Sequence, residues 1–132
     1  MTERQKYDLI KKVDDVELRR YHECVMADVI VNSPYSNAAN LGFRPLVTYI
    51  SENRIAMTAP VVQEQLHTDS WVVSFVMPAD MKLDSMPLPK NRNVTLRTIT
   101  EHTAATLVFR GVTTEHMVRV RENQLRQTLQ NH

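Results

Sequence analysis

Glycine is nearly missing from this chain. Only Gly42 and Gly111 are present, too few to build a phosphate-cradling loop or the Gly-x-Ser-x-Gly turn that exposes a hydrolase nucleophile. Cysteine is scarcer still. Cys24 stands alone, so no internal disulfide can form and no Cys-x-x-Cys pair offers a zinc site. No His-x-x-x-His occurs either, and His22 with Cys24 supplies two ligands where a structural zinc takes about four. Cys24 reads as a small buried hydrophobe rather than a nucleophile. The formal net charge is +1, so no excess of one sign draws the chain towards nucleic acid or anionic lipid. The longest apolar stretches, such as Val29–Val31 and Trp71–Met77, fall far short of the ~20 residues that span a bilayer. The opening Met-Thr-Glu-Arg-Gln-Lys lacks the apolar core of a secretion signal. These absences lead to the expectation of a cytoplasmic domain with no metal cluster and with neither nucleic acid nor membrane as partner. At 132 residues the chain is long enough for one ordinary domain, expected over 1–132.

What is present is a repeat. Displacing the chain by 78 positions lays VELRRYHECVMADVIV (Val16–Val31) over VTLRTITEHTAATLVF (Val94–Phe109). Val16 meets Val94, Leu18 meets Leu96, Arg19 meets Arg97, and Glu23, Ala27, Val29 and Val31 meet Glu101, Ala105, Leu107 and Phe109. From Arg19 onward the matches fall on alternate positions, as two strands burying the same face require. Val16 and Leu18 have the other parity, which predicts a bulge or break near Arg19. After the first copy, Ser33-Pro34 signals a helix start, with Ala39, Phe43, Leu46 and Ile50 at helical spacing. Pro45 inside that pattern should kink the helix or mark its true start. After the second copy, Thr113 or Thr114 can cap a helix in which Val118, Leu125 and Leu129 share a face. The first copy continues into Ile55–Gln65 and Trp71–Met77, a hairpin around His67-Thr68-Asp69-Ser70. A linker with Pro78, Pro87 and Pro89 follows, and the repeat halves are expected at about 13–78 and 91–132.

The segment RIAMTAPV (Arg54–Val61) carries Met57, Thr58 and Pro60 in the centre of an apolar strand. Proline cannot donate to a ladder, so the strand should bend out of its sheet here. With "ELRRY" (Glu17–Tyr21), Ala27, "GFRPLVTYI" (Gly42–Ile50), "IAMTAPV" (Ile55–Val61) and Phe109-Arg110-Gly111, the chain resembles the SOUL, or haem-binding protein, family. The resemblance runs from about Val13 onward. It implies an α+β fold: a distorted antiparallel β-barrel of two pseudo-symmetric β-α-β-β halves, shared with gyrase-inhibitor-like ligand-binding domains. It also implies non-covalent haem or tetrapyrrole binding; without a Cys-x-x-Cys-His, c-type attachment is excluded. Members of that family continue into further strands, and nothing of that kind follows His132, so the second half is expected to be incomplete.

Haem asks for an apolar slot, cations for its propionates and, in some proteins, an axial ligand. The first helix offers Phe43, Leu46 and Val47, facing the strand that carries Met57. By resemblance Phe43 and Val47 occupy pocket-lining positions; a family lysine is replaced by Thr48, and Arg44 beside it can meet a carboxylate. His22 and His116 are the axial candidates. The principal reading is therefore a porphyrin carrier rather than an enzyme. A non-haem small-molecule binder or hydrolase on the same fold is the alternative, and a module recruiting a partner strand to an open edge is a third. The missing strands should leave Leu107 and Phe109 on an uncovered edge, which predicts a homodimer.

Overall fold

The computed structural model describes residues Thr2–Gly111 and Thr114–His132. In chain order the elements are β1 (Glu3–Arg4), β2 (Tyr7–Val13), β3 (Val16–Tyr21), β4 (Cys24–Val31), α1 (Tyr35–Glu52), β5 (Thr58–Ala59), β6 (Val61–His67), β7 (Ser70–Val76), β8 (Val94–Ile99), β9 (His102–Leu107) and α2 (Glu115–Gln130). The class is α+β, as expected. Strands β6-β7-β4-β8 form one antiparallel sheet and β2-β3-β9 another, while β1 and β5 make a short parallel pair. Among the described residues these sheets do not close into a barrel, so the fold is a distorted sheet structure.

The repeat is visible in the strands, with one correction. Each copy holds two strands rather than one: β3 and β4 in the first, β8 and β9 in the second. The strand break lies at His22–Glu23, and near Arg19 it is the partner strand that is irregular: the register shifts between Leu9, opposite Arg19, and Lys11, opposite Leu18. The pairing then crosses between copies. Strand β4 pairs with β8 from Cys24↔Ile99 to Val29↔Val94, and β3 pairs with β9 from Val16↔Leu107 to Tyr21↔His102. Moving each residue of one ladder by the repeat length turns it into the other. The chain accordingly divides into two compact units: the first six residues with Glu23–Thr100, and Tyr7–His22 with Glu101–His132. Each unit takes strands from both copies.

In the first unit, the alternation in β4 puts Val25, Ala27, Val29 and Val31 on the face that meets α1. Trp71, Val73 and Phe75 of β7 lie beside them, and Phe75 and Leu46 of α1 are almost wholly buried. Each contributes about 1.5–3 kcal/mol by leaving water. Strand β7 is buried on both faces, which explains why it is apolar apart from Ser70 and Ser74. The helix does begin after Ser33-Pro34, but it continues through Pro45, which therefore does not mark its start. Its buried face is Ala38, Gly42, Leu46, Tyr49 and Ile50. The expected Ala39 and Phe43 lie one position further round and are exposed. Size decides this: a Cβ on Gly42 would stand 2.5 Å from Val73 Cβ, so only glycine permits the helix so close to β7. The expected bend at Pro60 is present. Strand β5 pairs with β1, and after the cis Ala59–Pro60 peptide β6 joins the four-stranded sheet. The predicted hairpin turns at Thr68-Asp69, where Asp69 adopts a positive φ of 56°.

In the second unit, Arg19 is packed over the Tyr7 ring at 4.2 Å, pairs with Glu17 at 2.7 Å and donates to the Tyr21 hydroxyl at 2.9 Å. Thr114 caps α2, accepting from the Met117 N–H at 3.1 Å; Thr113 lies outside the described residues. Val118 and Leu125 are half-buried and Leu129 exposed. Leu107 and Phe109, expected to be left wet, are both half-buried, and the Arg121 guanidinium sits 5.5 Å from the centre of the Phe109 ring.

Candidate functional site on the open flank of the first helix

Three contacts fix how α1 lies along β7: the Tyr35 ring meets Trp71 edge-on at 5.3 Å, Gly42 abuts Val73, and Phe43 meets Phe75 edge-on at 5.4 Å. Helix and strand therefore advance in the same direction. Beyond the helix, Thr58 Oγ1 of β5 donates to the Val76 carbonyl. Val47 lies one helical turn past Phe43, and Met57 immediately precedes β5.

Of the candidates, Phe43 is 45% exposed and its ring leans on buried Phe75. Val47 and Met57 are half-buried and packed against the core. Arg44 and Thr48 are exposed. Leu46 is turned fully inward, at 0% exposure, and supports this flank from behind. Val61, opposite Phe75 in the ladder, is 39% exposed and extends the apolar ledge along β6. Phe43 and Val61, partly exposed about buried Phe75, thus form an apolar ledge, and Arg44 follows Phe43 in the chain with its side chain exposed.

The histidine candidates belong to the second unit. His22 is half-exposed and its Nε2 lies 2.9 Å from Asp8 Oδ2; His116 is exposed in the first turn of α2. Among the described residues no group of three His, Cys, Asp or Glu could hold a metal ion. A cavity of about 240 Å³ in the first unit is lined by Glu23, Cys24, Met81, Lys82, Asp84 and Thr98, among others. It is smaller than the ~300–1,000 Å³ usual for a drug-sized ligand and is rimmed by charge. Burial pushes the Cys24 thiol above its ordinary value, which keeps it protonated and a poor nucleophile.

Sequence reasoning missed one polar cluster. Asp28, 6% exposed, accepts from Ser74 Oγ and from Arg97 Nε across three adjacent strands. The available signal was an aspartate inside CVMADVIV, where the neighbours are apolar. Its partners come from register, which the sequence does not print.

Two helices and antiparallel sheets make this an α+β chain of the distorted-sheet class. A protein-family profile described as SOUL heme-binding protein matches residues 2–132, and the chain belongs to that family. No curated protein matches the sequence. No helix among the described residues is long and apolar enough to cross a membrane.

Proposed function

We propose that this chain binds haem or a related tetrapyrrole non-covalently on the flank of α1. Family membership supports the ligand class, and the ledge supports the place. The observation that carries it is Phe43: a large aromatic left 45% exposed and seated on buried Phe75, with Val47 one helical turn on and Val61 opposite Phe75 in the ladder. A flat apolar ring laid there would cover those side chains, and Arg44 would pair with a propionate. The donor set fits such a group: apolar surface and one permanent cation. Bound, the haem would supply a redox-active iron. The chain's own share is to shield the ring from water and neutralise a carboxylate.

The test is a haem titration followed at the Soret band. Wild type should show a saturable shift. Val47→Asp should weaken binding by at least tenfold, because the ring would desolvate an unpaired carboxylate, at a cost of ~2 kcal/mol or more. Its far-ultraviolet circular dichroism should be unchanged, since Val47 is not in the closed core. Equal affinity in the two proteins would remove α1 from the site.

A second proposal concerns self-association. Among the described residues β9 stands at the end of its sheet beside β3, whereas its repeat counterpart β4 lies between β7 and β8. We infer that two chains join at that end of the sheet about a two-fold axis. Sedimentation velocity should show a dimer at micromolar concentration. A monomer of about 15.3 kDa throughout that range would sink the idea.

A further inference from the structure

We propose that a cavity between the β2-β3-β9 sheet and α2 is a binding site for a small monocarboxylate with a short apolar body. All of its lining belongs to the second unit, and the inference stands apart from the haem reading.

The cavity holds about 240 Å³. Lys12, Asp15, Glu17 and Leu107 line it from the sheet and its first turn, and Arg121 and Gln124 line it from α2. Lys12 stands opposite Glu17 in the β2-β3 ladder, yet the Glu17 carboxylate is taken by Arg19 at 2.7 Å. Among the described residues neither Lys12 nor Arg121 has a carboxylate partner. The Arg121 Nη1 donates instead to Gln124 Oε1 at 3.0 Å, and the guanidinium lies 5.5 Å from the centre of the Phe109 ring. Its Nε is buried without an acceptor, the one such side-chain atom among the described residues.

Buried donors in folded proteins are normally satisfied, so an orphan asks what group completes it. Gln124 occupies Nη1, which leaves the edge formed by Nε and Nη2. A carboxylate meets that edge with two parallel hydrogen bonds. Reaching Nε takes a turn of the arginine side chain, which is only half-buried and breaks no ion pair in moving.

Charge and size narrow the ligand further. With Glu17 neutralised by Arg19, two cations (Lys12 and Arg121) face one carboxylate (Asp15), a surplus of one positive charge. A single negative charge balances that surplus, whereas a dianion would add repulsion from Asp15 and Glu17. Half-buried Leu107 and exposed Val108 offer apolar surface for the remainder of the molecule. The volume lies below the ~300–1,000 Å³ of a drug-sized ligand, so the body has room for only a few carbons.

The experiment titrates the isotope-labelled full chain with sodium isovalerate, with isovaleramide and with inorganic phosphate, followed by nuclear magnetic resonance. Isovalerate should move the Arg121 Nε–H signal and the backbone amides of Lys12, Leu107 and Gln124 in one saturable step. Isovaleramide has the same shape without the charge and should move none of them, and phosphate should bind more weakly than isovalerate. Arg121→Lys keeps the charge but loses the fork, so affinity should fall at least about tenfold. Lys12→Gln should weaken binding a few-fold and reduce its dependence on salt. Lys12 is exposed, so that variant keeps its fold and decides the matter even where an arginine variant does not. Absence of saturation with isovalerate, an equal response to isovaleramide, or wild-type affinity in Lys12→Gln would each overturn the site. Tighter binding of phosphate would overturn the carboxylate assignment.

Discussion

Gly42→Ala is expected to cost about 3 kcal/mol of stability, near the upper end of what overpacking a closed core costs. In an exposed helix the same change would gain ~1 kcal/mol, because alanine is the better helix former. Here the new Cβ would lie 2.5, 2.7 and 2.9 Å from the Cβ and both methyl carbons of Val73, a residue at 0% exposure. The nearest of these atoms is fixed to the β7 backbone, so a rotamer change cannot relieve the contact. The helix must move off the sheet, and Leu46 and Tyr49 lose packing with it. A companion variant separates this from general core damage. Val73→Ala keeps the offending Cβ, so adding it to Gly42→Ala should restore little. Urea unfolding of the single and double variants measures both effects. A neutral or stabilised Gly42→Ala would mean that α1 does not lie so close to β7.

The second large effect is expected at Asp28. Its side chain is buried and held by Ser74 Oγ and Arg97 Nε, with the Arg97 side chain 45% exposed. Removing one partner of a buried pair costs ~3–5 kcal/mol because a charge is stranded. Water reaches Arg97, so Arg97→Ala should lose less, about 2–3 kcal/mol after that discount. Ser74→Ala should lose ~1 kcal/mol, the ordinary net worth of a hydrogen bond. Asp28→Ala combined with Arg97→Ala should be less destabilised than the sum of the singles by at least ~1 kcal/mol, since the double variant strands no charge. Strict additivity in a chemical-denaturation cycle would show that Asp28 and Arg97 do not act together.

How far these features were legible from sequence follows from the range of the forces involved. The repeat could be read because alternation is local and each copy carries it. The bend at Pro60 could be read because proline's missing N–H acts where it stands. The helix existed where Ser33-Pro34 placed it, and Leu46 and Ile50 face inward as expected, but in its first half the inward residues are Ala38 and Gly42 rather than Ala39 and Phe43. Spacing favours large apolar residues such as Phe43, whereas the closest helix–sheet approach demanded the smallest, Gly42. That misreading bears on the site, since the outward turn of Phe43 is what makes the ledge. Leu46 was grouped with Phe43 and Val47 by spacing, and only packing shows it facing the other way. The Asp28 cluster was illegible because its partners arrive from β7 and β8 through long-range register.

The exchange of strands between the two copies has a consequence for how the protein is made. Strand β3 is synthesised early, but its neighbour β9 is the last strand in chain order among the described residues. The β2-β3, β6-β7 and β4-β7 ladders can form within the first copy's half, but β3-β9 and β4-β8 must wait for the second copy to be made. Such non-local closure predicts slow folding. It also predicts that two fragments divided in the linker around Pro87 would each be incomplete alone yet regain the missing ladders when mixed.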